Sequence, residues 1–235
     1  MHAPACSSVD QFLRADGAGL HAWVARKQSG LVRLCVLSIV MGAGLYGAVM
    51  GCWRAPLQAL YVAIKLPLLI LLTTIGNGLL NGMLAPLLGL NIAFRQSLTA
   101  VLVSFAIASA ILGALSPVAL FVVWNTPPLT NAMQPAAAEH GFLQLTLVVF
   151  IAFAGVTGNV RLLPLLRQMA GSPAVARKVL LAWLAGNLFL GSQICWVLRP
   201  FIWDPGRPVE FIGPQYFSGS FYETVFEAAR TLIFR

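Results

Sequence analysis

The sequence predicts an all-α, polytopic transmembrane helical bundle of about five spans with a C-terminal amphipathic interfacial helix, and three observations carry that prediction. Of the 235 residues, 59% are hydrophobic and only 9% are charged, against about 25% charged in an ordinary water-soluble domain. Mean hydropathy is +0.83. No Asp or Glu occurs between Asp16 and Glu139, and the basic residues stand at the ends of apolar runs. The net charge of +8 therefore reads as membrane topology. No basic stripe interleaved with aromatics and no recognition-helix pattern points to nucleic acid.

Residues 1–30 read as a cytoplasmic or interfacial segment. Ser8 and Gln11 stand at capping-box spacing there, and Phe12, Leu13, Leu20, Trp23 and Val24 supply an apolar side, which suits a surface helix. A mobile tail is the alternative, because Gly17 and Gly19 interrupt the pattern. The first apolar run is too long for the h-region of a cleaved signal, about 7–15 residues, and so reads as a retained anchor.

Residues 31–202 hold the bundle, with spans at roughly 33–52, 57–82, 95–124, 141–160 and 178–202. Each reaches the length of about 20 residues needed to cross the hydrocarbon core. Pro67, Pro86 and Pro117 fall within or beside the second and third, which predicts kinks, tilt or a short re-entrant piece near 83–91. A six-span alternative would split one of these runs. Arg14, Arg26, Lys27 and Arg33 flank the first span, and Arg161, Arg167, Arg177 and Lys178 lie between the fourth and fifth. The loop "NTPPLTNAMQPAAAEH" has no Lys or Arg. Five spans put both basic regions on one side, so the positive-inside rule places the N-terminus in the cytoplasm and the C-terminus outside, in the periplasm of a bacterial inner membrane.

Residues 203–235 read as an outer-face segment: a connector stiffened by Pro200, Pro205 and Pro208, followed by "SFYETVFEAARTLIF". Ser220 and Glu223 form a second capping-box pair, and Phe221, Tyr222, Val225 and Phe226 line a stripe opposite Glu223, Glu227 and Arg230. That helix is too short to span. It lies on the membrane or docks on a partner.

Several polar residues fall inside the apolar runs and become the candidate interaction residues. Lys65 lies about eight residues, roughly 12 Å, into the second span, where a lysine costs a few kcal/mol on insertion scales. Two uses follow: a structural one, in which the side chain snorkels outward or is latched to Asp204, Glu210, Glu223 or Glu227 of a C-terminal segment folded back over it, or a cation facing a substrate. Pro67 withdraws one backbone donor and is expected to kink the helix. In "TTIGNGLLNG", Asn77 and Asn81 share one face, and Gly78 and Gly82 share another, a pattern for close helix packing or for a solute site. Gly47 and Gly51 repeat the glycine spacing in span one. Span five carries Asn187, Ser192 and Gln193, and ends at Arg199 in an aromatic belt of Trp196, Phe201 and Trp203, with Asp204 placed to pair with Arg199.

No HExxH, GxSxG or Walker-type loop occurs, and the three histidines lie far apart and outside the spans, so no catalytic, cofactor or metal residue is assigned. Cys6, Cys35, Cys52 and Cys195 have neither disulfide-framework nor metal spacing. A proton-coupled carrier would need an intramembrane carboxylate or histidine, and none of the five runs contains one.

Two stretches, "APLQALYVAIKLPLLILLT" at 55–73 and "GSQICWVLRPFIWDPGRPVEF" at 191–211, resemble a group of bacterial polytopic membrane proteins loosely similar to the Yip (Ypt/Rab-interacting) family. That family pairs five spans and a cytoplasmic N-terminus with roles in membrane trafficking and organisation. The DLYGP-like motif of its eukaryotic members is absent, so Rab-type GTPase binding does not carry over. The resemblance implies a non-enzymatic protein that works through lipid or protein contacts. Its expected role is that of a scaffold, assembly factor or accessory subunit, with the lipid bilayer and a membrane-protein partner or second copy as its contacts. The alternative is a small-solute channel or facilitator lined by Lys65, Asn77, Asn81, Asn187 and Gln193.

Overall fold

The structure is a computed structural model that describes residues 29–90, 93–127, 136–201, 209–212 and 219–223. Helix α1 (Ser29–Ser38) runs through a π-helical turn, Ile39–Ala43, into α2 (Gly44–Cys52). Then come α3 (Pro56–Leu87), α4 (Phe94–Asn125), α5 (Ala136–Val160), the short α6 (Leu163–Ala170) and α7 (Pro173–Leu198). No strand occurs among the described residues. Five stretches are long and apolar enough to cross a membrane: Gly30–Cys52, Pro56–Leu87, Phe94–Asn125, Gly141–Ala170 and Pro173–Leu198. The chain is a multi-pass, all-α membrane protein.

Local chemistry sets the helix ends. Pro56 and Pro173 begin α3 and α7 after extended residues Ala55 and Ser172, because proline fixes φ and has no N–H to leave unpaired in a first turn. At the start of α4 the Gln96 side chain accepts a 3.1 Å hydrogen bond from the Ala93 N–H. Gly89, at φ 88°, closes α3: its N–H reaches the Pro86 carbonyl and the Leu90 N–H that of Ala85, an ending that favours glycine.

Of the kinks, tilt or re-entrant piece expected near 83–91, no re-entrant piece occurs among the described residues, which run there to Leu90. Helix α3 continues through Pro86 to Leu87 and then turns at Gly89, because one proline removes a single hydrogen bond and helices in apolar surroundings accommodate that loss. Likewise α3 passes through Pro67 and α4 through Pro117 without ending. Proline at 67 frees the Ala63 carbonyl, and α2 packs Gly44 against that oxygen. The amphipathic α6, which follows a turn at 161–162, lies between the fourth and fifth expected spans.

Glycines set how closely the helices approach. A Cβ on Gly47 would stand 2.5 Å from the Val62 carbonyl oxygen, and one on Gly51 would stand 2.5 Å from that of Gln58, so α2 lies backbone to backbone on α3. Gly42 touches Ser109 of α4, and Gly158 of α5 comes against Ser104. Helix α3 packs on α2, α4 and α7, while α4 packs on α1, α2, α3 and α5. These two long helices form the centre. Half of the most apolar part of α4 is buried, against 22% for that of the fourth stretch and 11% for that of α7, so α5 and α7 form apolar flanks.

Candidate functional site

The polar residues of α3 gather at two levels. Near its start, Gln58 and Lys65 stand seven residues apart and hence on one face. Both are fully buried. The Lys65 Nζ donates to the Pro200 carbonyl at 2.9 Å. The Gln58 Nε2 donates to the same carbonyl at 3.1 Å and to the carbonyl of Phe201. These oxygens belong to the two residues that follow Arg199, the C-cap of α7, where no helical hydrogen bond engages them. The Nζ also lies 5.8 Å from the ring centre of Phe201 and 5.3 Å from that of Phe211, and Tyr61 packs edge-on to Phe211 at 5.4 Å.

The expected latch therefore forms with different chemistry. Among the described residues Lys65 meets carbonyl dipoles and ring faces, while Glu210 and Glu223 make no ion pair with it. Asp204 and Glu227 lie outside the described residues. The physical reason is desolvation: a carbonyl and two π faces supply negative potential without taking a second full charge out of water.

Beyond this clamp the chain returns to α7. Glu223 and Ser220 make both bonds of the expected capping box, the Glu223 N–H to Ser220 Oγ at 3.1 Å and the Ser220 N–H to Glu223 Oε2 at 3.0 Å. Tyr222 stacks on Phe189 at 5.0 Å and donates to the Phe189 carbonyl at 2.7 Å. Gln193 accepts the Phe221 N–H at 3.3 Å. Residues 219–223, helical at 221–223, thus dock on α7; the amphipathic helix expected over 220–234 falls, from Thr224 onward, outside the described residues. The Arg199 guanidinium stands 3.4 Å from the centre of the Trp196 ring; its expected partner Asp204 is not among the described residues.

The second level is a ladder of amides. Asn77 Nδ2 donates to the Asn187 side-chain oxygen and to the Trp183 carbonyl, the latter at 3.3 Å. Asn187 Nδ2 donates to Asn159 Oδ1 at 3.1 Å, and Asn159 Nδ2 to the Gly155 carbonyl at 2.8 Å. Three helices, α3, α7 and α5, are joined in one chain of bonds. Gly186 permits it, since a Cβ there would lie 2.5 Å from Asn77 Oδ1. On the next face Gly78 touches Leu98 and Gly82 touches Phe94, so these glycines seat α4. Asn81, expected to act with Asn77, is fully buried and makes no hydrogen bond through either side-chain atom among the described residues. Pro67 is buried between the two levels.

Sequence reasoning passed over Gln58, Asn159 and Trp183. The signal for Gln58 was available, because a second polar residue seven positions before Lys65 in an apolar helix shares its face. Asn159 carried a weaker one, as an amide at the end of an apolar span. Among the described residues no group of His, Cys, Asp or Glu could hold a metal ion, and Cys35, Cys52 and Cys195 are free thiols. No family model, no curated protein and no solved structure matches the chain.

Proposed function

We propose that the protein is a non-enzymatic membrane scaffold, assembly factor or accessory subunit, seated in a bacterial inner membrane with its N-terminus cytoplasmic. The observation that supports this most directly is where the polar groups of α3, α5 and α7 are engaged. Asn77, Asn159 and Asn187 bond to one another across three helices, and Gln58 and Lys65 hold the chain leaving α7. Groups engaged in this way build a rigid body and fix a segment at its end; a solute path would need them free to exchange partners. The apolar flanks of α5 and α7 and the held segment beyond Leu198 are then the surfaces for lipid and for a partner.

The Yip-like resemblance points the same way, toward protein and lipid contacts. The test is affinity capture of a tagged copy at native expression level in gentle detergent, with partners identified by mass spectrometry. A stoichiometric membrane-protein partner that is lost on deletion of residues 204–235 is the expected result. A solitary monomer that carries small solutes across liposomes would sink the reading. It would establish the facilitator alternative, which the buried amide of Asn81, without a hydrogen-bond partner among the described residues, favours.

A further inference from the structure

The end of the bundle where α3 and α5 finish and α4 and α7 begin carries most of the exposed charge among the described residues. Contacts fix which ends meet. Gly82 of α3 touches Phe94 of α4, a Cβ on Gly89 would stand 4.0 Å from the Val175 side chain, and Gly158 of α5 comes against Ser104. Ser38 of α1 donates to the Ala106 carbonyl at 3.0 Å, and α6 packs on α7. Arg33, Arg95, Arg161, Arg167, Arg177 and Lys178 stand at this end, and all are exposed. Among the described residues none of their side chains makes a hydrogen bond or an ion pair. The carboxylates belong toward the other end: Glu139 in the first turn of α5, Glu210 beside Phe211, and Glu223 beside Tyr222.

Helix chemistry explains only part of this. Arg161 follows the end of α5 and Arg167 lies in the last turn of α6, where a cation complements the helix dipole. Arg95 lies in the first turn of α4 and Arg177 and Lys178 in the second turn of α7, and the first turn of neither helix contains an acid. These three add to a positive helix end instead of offsetting it, so the missing complement is an external anion. Location says which anion. Exposed apolar residues stand next to the cations on four helices: Leu37 after Arg33, Phe94 before Arg95, Val160 before Arg161 and Leu181 one turn after Lys178. The charges therefore mark the level where lipid-facing rows give way to headgroups. Five of the six are arginine, whose planar fork matches two phosphate oxygens. A zwitterionic phospholipid neutralises its phosphate with its own ammonium; an anionic one does not. An acidic protein would meet a single patch, whereas these cations are spread over the ends of α1, α4, α5, α6 and α7.

We infer that this end of the bundle is a docking surface for the headgroups of anionic phospholipids, held by these six cations. The inference rests on the chain crossing a membrane and not on the scaffold reading, for a facilitator would present the same surface.

Electron paramagnetic resonance of the full chain in phosphatidylcholine bilayers tests it, by comparing how much spin-labelled phosphatidylglycerol and spin-labelled phosphatidylcholine the protein surface immobilises. Phosphatidylglycerol is expected to be preferred several-fold at low salt, with the preference vanishing in molar salt, where the Debye length falls to about 3 Å. Combining Arg161→Gln, Arg167→Gln, Arg177→Gln and Lys178→Gln is expected to remove more than half of the preference, and Arg54→Gln, at the opposite end, to leave it intact. Equal immobilisation of the two lipids by the unaltered protein at low salt would overturn the surface, and that measurement needs no variant to fold. A preference that the combined variant keeps in full, or that Arg54→Gln removes, would overturn it as well. Inorganic phosphate distinguishes the lipid from a free anion: if phosphate displaced phosphatidylglycerol beyond what chloride does at the same ionic strength, the cations would belong to a soluble ligand and the lipid assignment would fall.

Discussion

The two halves of α3 treat buried polar groups in opposite ways. In the first half Gln58 and Lys65 reach backbone carbonyls more than a hundred residues away in sequence. In the second half Asn77 is tied to α7, while Asn81, one turn on, is bonded to nothing among the described residues. The difference follows from what each half faces. The chain leaving α7 presents the Pro200 and Phe201 carbonyls, which lie beyond the helical hydrogen bonds, whereas a mid-helix carbonyl already holds an intrahelical bond and accepts a second only where a side chain is aimed at it, as Asn77 is at that of Trp183. A buried donor beside the chain leaving a helix therefore finds carbonyls with both lone pairs open, while one at mid-helix depends on a side chain or on the second lone pair of a helical carbonyl.

The largest expected effect comes from emptying the first half of its donors. Gln58→Leu combined with Lys65→Met orphans the carbonyls of Pro200 and Phe201. At about 1–3 kcal/mol each the loss is about 2–6 kcal/mol, read by denaturant unfolding in detergent with protease access to residues 199–212 as a second signal. Either single change leaves the Pro200 carbonyl one donor, so the double variant is expected to lose more than the sum of the singles. Strict additivity would break the claim that the two side chains share one acceptor.

Next is Asn187→Leu, which cuts both rungs of the amide ladder. Bonds between membrane helices average about 0.6 kcal/mol and reach about 1.7, so a destabilisation of about 1–3 kcal/mol is expected, with α5 and α7 becoming more accessible to proteases. A loss near zero would mean that packing alone holds α7 to the bundle.

A comparable effect and a smaller one sharpen the contrast at the level of the backbone. Gly51→Ala drives a methyl to 2.5 Å from the Gln58 carbonyl oxygen; backbone cannot rotate aside, and a loss of about 1–3 kcal/mol is expected. Gly82→Ala meets only the ring edge of Phe94. That ring can turn, and the gain in helix propensity of about 1 kcal/mol offsets the adjustment, so the midpoint of unfolding should change little. If Gly82→Ala proved the more damaging of the two, the second half of α3 would be the tighter seam and the comparison would be reversed.

Much of this organisation was legible in the chain. Hydrophobic runs of bilayer length give the number of apolar helices, five, long enough to cross a membrane, because burying a backbone in hydrocarbon forces helix and leaves length as the main variable. The capping pair Ser220 and Glu223 was legible for a similar reason: its bonds join residues three apart. So was the packing role of Gly47, Gly51, Gly78 and Gly82, whose spacing alone puts them on helix faces. What tertiary structure decided is the identity of each partner. Nothing near Lys65 in sequence says that its charge meets the Pro200 carbonyl and two phenyl rings instead of a carboxylate. Nothing near Asn77 selects Asn187 over Asn81 as the amide with which it bonds. Spans, caps and helix faces are local properties of a few consecutive residues, while the partner of a buried polar group is whichever atom the packing of other helices brings within 3 Å, and that depends on the whole bundle at once.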